Sequence, residues 1–152
     1  MSFSVGRLAL IGVGLIGGSL ARALREHGAV SHVVGCGRDA GNLHRALELG
    51  VIDEATHDPL EAVRGADLIV FSGGKAIRGP QSTGILCGRS EWIASAAMQM
   101  LDMDDHPALW DPPPDFSDRR RFSGIPRHGI GRGFKVSKEE IVALLEALKL
   151  FT

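Results

Sequence analysis

The chain has 152 residues, 44% of them hydrophobic, which suffices for one ordinary core or two fragments sharing one and is too little for two full-sized domains. Seventeen Lys and Arg oppose eighteen Asp and Glu, a net charge of -1 with no long run of either sign, so the balance points away from nucleic acid and anionic membranes and toward small-molecule partners. Two cysteines, Cys36 and Cys87, make neither a disulfide framework nor a metal pair, and no targeting or membrane-spanning stretch is read, so a cytoplasmic protein with reduced thiols is expected.

Short β-type runs alternate with helical ones over the first seventy residues. "RLALIG" (7–12) is an apolar strand, and "LIGGSLARALREHG" (15–28) places Ile16, Leu20, Ala23 and Leu24 on one helical face before stopping at glycine. "HVVGCG" (32–37) reads as a second strand, and "AGNLHRALELG" (40–50) as a helix with Leu43, Ala46 and Leu47 inward. "DEATHD" contains a short strand, Asp58 caps a helix that begins at Pro59, and "ADLIVF" is another buried strand. Strands alternating with helices at this spacing imply parallel pairing through right-handed crossovers, half of a doubly wound α/β sheet.

"GVGLIG" carries the chemistry of this half. Gly12, Gly14 and Gly17 form G-x-G-x-x-G directly after a strand and opening a helix, the context in which the pattern reads as a dinucleotide fingerprint. Gly12 permits the tight turn, Gly14 lets a pyrophosphate approach the backbone, and Gly17 allows close packing of helix on strand. The N–H groups of Leu15, Ile16 and Gly17 at the helix start then face the phosphates. Beyond the second strand an acidic residue would accept the adenosine 2'-hydroxyl, but the chain offers Gly37 and Arg38, with Asp39 one step late. Arg38 tolerates a 2'-phosphate or is a solvated surface charge, so the cofactor is NAD or NADP.

These segments, over roughly residues 7–70, resemble the nucleotide-binding half of the prephenate and arogenate dehydrogenase family. The Gly17-Gly18-Ser19 run and "ALELGVIDEAT" carry the resemblance most specifically. It implies an oxidoreductase of tyrosine biosynthesis that oxidatively decarboxylates its substrate with NAD or NADP. The family also uses a histidine and a serine after the fourth strand and a helical dimerisation domain. Here "FSGGK" stands where the family has a small, proline-containing turn, so a catalytically incomplete module is expected.

From Asp67 the idiom changes. A glycine-rich turn surrounds Lys75, "TGILCG" (83–88) is an apolar strand, and a helix runs from about 91 to 101. A long Pro- and Gly-rich loop is expected near 102–136, and "SKEEIVALLEALKLF" closes as a helix over 138–151, with Ser137 and Glu140 as a capping box. Ser72-Gly73-Gly74-Lys75 is not a P-loop, since Ile69 replaces the first glycine and Ala76 the magnesium-binding hydroxyl. Ser-x-x-Lys lacks the companion motifs of penicillin-binding enzymes. A third reading is a lysine forming a Schiff base with pyridoxal phosphate, with neighbouring glycines leaving room for the ring, and a plain surface lysine is the alternative.

Residues of about 67–151, through "DLIVFSGGKAIRGPQSTGILCGR" and "GIPRHGIGRGFKVSKEEIVALLEAL", resemble the selenocysteine synthase-like branch of fold type I pyridoxal phosphate enzymes, which includes aminosugar-phosphate ammonia-lyases. That resemblance implies Lys75 as the cofactor lysine and Ser72 as a phosphate contact. It puts Arg127, His128 and Arg132 near the substrate end, with a solvated basic loop as the alternative. The aspartate and stacking residue such an enzyme needs would come from the region that the first resemblance occupies.

The chain therefore reads as chimera-like: a partial Rossmann-type sheet over 1–70, followed over 71–152 by a segment of a pyridoxal phosphate enzyme. The expected activities are that of a dinucleotide-binding module of dehydrogenase type, a pyridoxal-dependent lyase or transferase, or a folded fragment without turnover. Expected partners are a small-molecule cofactor and substrate and a second copy in a homodimer, without nucleic acid or membrane. His27, His44, His57 and His106 show no metal-ligand spacing, and Trp92 and Trp110 read as packing aromatics.

Overall fold

A computed structural model of the chain describes residues 4–101 and 128–151. The elements are β1 (Val5–Ile11), α1 (Leu15–Glu26), β2 (Val30–Cys36), α2 (Ala40–Glu48), β3 (Glu54–Thr56), α3 (Pro59–Val63), β4 (Leu68–Ser72), β5 (Gly84–Gly88), α4 (Ser90–Met98) and α5 (Lys138–Phe151). They form a mixed α/β structure with one five-stranded sheet in the order β3-β2-β1-β4-β5. The first four strands are parallel, as the alternation of strand and helix requires, and give a partial Rossmann-like arrangement. β5 is antiparallel to β4, with Ser72 opposite Gly84 and Leu68 opposite Gly88. The sheet thus runs unbroken across the point where the sequence changes its resemblance.

Two packed faces follow from strand parity. Leu8, Leu10, Val33 and Leu68 lie in one core cluster with Ala21 of α1 and Leu43 and Ala46 of α2, and Trp92 and Ile93 of α4 pack against it. Val34 and Cys36 pack with Ala62 of α3 and with Ile11 on the other face. The chain changes faces between β3 and β4, which makes the β1–β4 boundary the point where the winding reverses.

Helix ends behave as their sequences suggest. Asp39 accepts a hydrogen bond from the Asn42 N–H at the start of α2, and Asp58 does so from the Leu60 N–H ahead of Pro59. Ser137 and Glu140 exchange hydrogen bonds at 3.2 Å in each direction, the expected capping box of α5.

The inward face of α1 differs from the periodicity reading. Ala21 is the buried residue, Leu20 and Leu24 are half-buried, Ala23 is exposed, and Ile16 is 84% exposed. The cause is close docking by small residues: a Cβ on Gly17 would sit 3.1 Å from the Gly12 carbonyl oxygen, and one on Gly18 would meet Val51. The period is helical, but the seam runs through Gly17 and Ala21, which a count of large apolar residues does not weigh. Leu47, also expected inward, is 37% exposed.

α5 has no buried residue and docks by its inner edge on the 73–83 connection. Leu144 lies against Gly73 and Gly79, and the Ser82 hydroxyl donates to the Glu140 carboxylate. Within the stretch expected as a long loop, residues 132–134 form a single 3-10 turn, and the Gly129 and Gly131 N–H groups donate to the Leu101 and Gln99 carbonyls. Trp110, His106, Arg127 and the rest of 102–127 lie outside the described residues.

Candidate functional site: a glycine loop at the carboxyl edge of the sheet

β1 leaves the sheet at Gly12, whose φ of +100° is the left-handed backbone that excludes an ordinary side chain at little cost only for glycine. The turn is held from both sides: the Gly12 N–H donates to the Cys36 carbonyl at 2.7 Å, and the Asn42 side-chain amide donates to the Val13 carbonyl at 2.7 Å. Gly14 is the N-cap of α1, and no side chain caps that helix. The first N–H groups of a helix have no intrahelical acceptor, and α1 carries no acidic residue in its first turn. An anion arriving there meets N–H donors and no acidic side chain in the helix's first turn.

Gly14 is informative because the fold does not need it to be glycine. Its φ of -102° and ψ of -167° are extended backbone open to any L residue, and a Cβ built there would meet nothing within 4 Å. Gly17 is different, since its Cβ would press on the Gly12 carbonyl. Leu15 and Ile16, between them, are 88% and 84% exposed.

At the end of β2, Arg38 is exposed. Asp39 accepts the Asn42 N–H through Oδ1 as the cap of α2. The Gly37 carbonyl accepts from His57 Nδ1–H at 2.6 Å, and the Gly37 N–H donates to Thr56, so the ends of β1, β2 and β3 form one braced edge. His27, His44 and His57 are all exposed, and among the described residues no group of three or more His, Cys, Asp and Glu is placed to hold a metal ion.

A charge network at the opposite, amino end of the sheet went unread in the sequence. Arg25 pairs with Asp53 at 2.5 Å, Arg7 with Glu54 at 3.0 Å, and His32 lies between the two carboxylates, with Nε2 at 3.2 Å from Glu54. Burial pushes the Asp53 carboxyl up, but the Val33 N–H and the Arg25 guanidinium outweigh it and hold it below the usual carboxylate range. Hydrogen bonds from His32 and Arg7 lower Glu54 as well. These groups brace β1, β2 and β3 and stand away from the glycine loop. Only the fold juxtaposes residues 7, 25, 32, 53 and 54, so no local motif announces them. Burial, with the nearby Asp58 charge, raises the Cys36 thiol and leaves it a packing residue.

The turn after β4 holds Ser72, Lys75 and their glycines. Lys75 is exposed, with Nζ 3.5 Å from the Gln81 side-chain oxygen, and Gln81 donates in turn to the Gly74 carbonyl at 2.6 Å. A Cβ on Gly73 would fall on the Thr83 hydroxyl and 2.8 Å from Leu144, and one on Gly74 would lie 2.6 Å from the Gln81 backbone. The room these glycines make is filled by the loop's own atoms and by α5. A pyridoxal ring therefore does not fit in the space at Gly73 and Gly74. His128 is exposed, far along the chain, and Arg132 opens the 3-10 turn.

Residues 20–73 match the family model described as prephenate dehydrogenase, nucleotide-binding domain. The match begins after the glycine loop, which stands on its own geometry. Among solved structures, a prephenate dehydrogenase from A. aeolicus, in complex with hydroxyphenyl propionate and NAD+, is 30% identical, with a TM-score of 0.40, over 45% of this chain and 24% of that one. D-glucosaminate-6-phosphate ammonia lyase from Salmonella typhimurium is 29% identical over 101 residues, 65% of this chain and 20% of that protein. The chain thus spans about a quarter or less of the length of the relatives it matches. The two resemblances coexist in one chain, the first to a dehydrogenase's nucleotide-binding domain and the second to an ammonia lyase. Among the described residues no helix is long and apolar enough to cross a membrane.

Proposed function

We propose that this chain is a dinucleotide-binding module of prephenate dehydrogenase type, which takes NAD or NADP at the glycine loop, with residues 1–70 as the binding unit and 71–152 as a segment of different descent. The carrying observation is Gly14: an extended, open position that any residue could occupy in the fold, yet glycine, at the N-terminus of an uncapped helix. A pyrophosphate lying on that backbone explains both features. Gly12, Gly14 and the N–H groups of Leu15, Ile16 and Gly17 would hold it, and Arg38 would meet the adenosine 2' position. When bound, the cofactor accepts or supplies hydride, and this chain's own contribution is to hold and orient it.

The chain is not expected to turn over prephenate or arogenate. Hydride transfer needs a positioned base and a water-poor pocket over the nicotinamide. After β4 the chain turns back as antiparallel β5 instead of crossing over to a further parallel strand, so the nicotinamide side is built differently from the adenosine side. Titration of the full chain with NADH and NADPH, followed by fluorescence, tests the binding. A saturable signal supports it, and no signal with either cofactor refutes it. Incubation with prephenate and NAD or NADP tests the second part, for which no substrate-dependent cofactor reduction is expected.

A further inference from the structure

β5 leaves an open hydrogen-bonding edge at one end of the sheet. It is the last strand in the order β3-β2-β1-β4-β5, and its ladder with β4 fixes which way its backbone points. The Gly73 N–H donates to the Thr83 carbonyl and the Arg89 N–H to the Asp67 carbonyl, each at 3.0 Å, in the same register that sets Ile85 opposite Phe71 and Cys87 opposite Ile69. Antiparallel ladders alternate, so Ile85 and Cys87 direct their N–H and C=O groups toward β4, and Gly84, Leu86 and Gly88 direct theirs outward. Among the described residues no strand lies beyond them. The opposite edge is blunted: β3 has three residues, and its Glu54 is paired with Arg7 and His32. β5 carries no charge and no proline, and Gly84, Leu86, Cys87 and Gly88 are exposed.

We infer that β5 is a dimerisation edge, pairing antiparallel with β5 of a second copy of this chain about a two-fold axis at Leu86. The strand is self-complementary. A register that sets Leu86 opposite Leu86, and Gly84 opposite Gly88 of the second copy, matches outward groups with outward groups along the whole strand; each pair exchanges two hydrogen bonds, about six in all. Ile85 then lies opposite Cys87 of the second copy, where an exposed thiol packs on an apolar side chain. Charge favours the same arrangement. The connection leading into β5 carries the exposed Lys75 and Arg78, with Glu140 docked on Ser82, a positive excess; at the other end Asp67 and Glu91 flank Arg89, a negative excess. Antiparallel apposition sets each end against its opposite, and a net charge of -1 leaves little overall repulsion between copies.

Sedimentation velocity of the full chain across a dilution series, with amide hydrogen exchange read residue by residue, tests the pairing. The expected result is a species of twice 16.2 kDa that dissociates on dilution, with the Gly84, Leu86 and Gly88 amides protected in the dimer and exchanging freely in the monomer. Leu86→Lys sets two like charges opposite each other on the two-fold axis and should weaken dimerisation about tenfold or more, while thermal unfolding of the dilute monomer stays near that of the wild type. A wild type that stays monomeric at every concentration overturns the inference. So does a dimer whose Leu86 amide exchanges as freely as in the monomer, because the contact then lies elsewhere, and so does a folded Leu86→Lys that dimerises as tightly as the wild type. An unfolded Leu86→Lys leaves the exchange pattern of the wild type to decide.

Discussion

Replacement of Gly14 by valine separates a glycine required by the fold from one required by a ligand. The backbone there is extended, and a Cβ meets nothing within 4 Å, so neither strain nor clash opposes a side chain. The remaining cost is the poorer N-cap preference of valine, under about 1 kcal/mol, which in a chain of this size moves Tm by no more than about 4 °C. Binding responds differently. The valine methyls occupy the space a pyrophosphate needs, and losing two charge-assisted hydrogen bonds to backbone N–H groups costs about 3–6 kcal/mol, more than a hundredfold in Kd. The assay pairs thermal unfolding of the unliganded variant with NADH titration. The expected result is a near-native Tm with binding lost. An unchanged Kd refutes the reasoning, and so does a large fall in Tm, which would make the glycine structural after all.

Gly35→Ala is the opposite case: its Cβ would lie 2.7 Å from Ile52 and from Val13 in the core, so thermal unfolding should show a loss of about 1–3 kcal/mol. Arg38→Asp should shift the ratio of NADPH to NADH affinity toward NADH in parallel titrations, because a carboxylate accepts the 2'-hydroxyl and repels a 2'-phosphate. Asp53 and Glu54 have depressed native pKa values, so the stability they contribute is present above the ordinary carboxylate range and is lost as pH falls through and below it; Asp53→Asn should flatten the acid limb of a urea-unfolding pH series. Borohydride trapping with pyridoxal phosphate should label Lys75 weakly and no more selectively than Lys135, Lys138 and Lys149, as mass spectrometry of the digested chain would show.

Much of the glycine loop and its surroundings was legible because the signals are local. A strand, a G-x-G-x-x-G turn and a helix are contiguous in the chain, and the caps at Asp58 and Ser137 depend on residues two or three positions away. What escaped is set by packing. The phase of α1 was misjudged because Gly17 and Ala21 allow close approach without being strongly apolar. The antiparallel addition of β5, which places Gly84 beside Ser72, depends on the path of the 73–83 connection and has no periodic signature. Gly73 and Gly74 looked like room for a cofactor, but Thr83, Gln81 and Leu144 fill that room, and the contact between Gly73 and Leu144 is distant in sequence.

The central claim, a dinucleotide held at the carboxyl edge of the sheet across the β1–β4 boundary, is tested most directly by amide chemical-shift mapping of the full chain during titration with NADH. Saturable shifts at Gly12, Gly14, Leu15, Ile16 and Gly17, extending to Arg38, are the predicted result. Shifts confined to the loop from Lys75 to Gln81, or no saturable shifts at all, would contradict it.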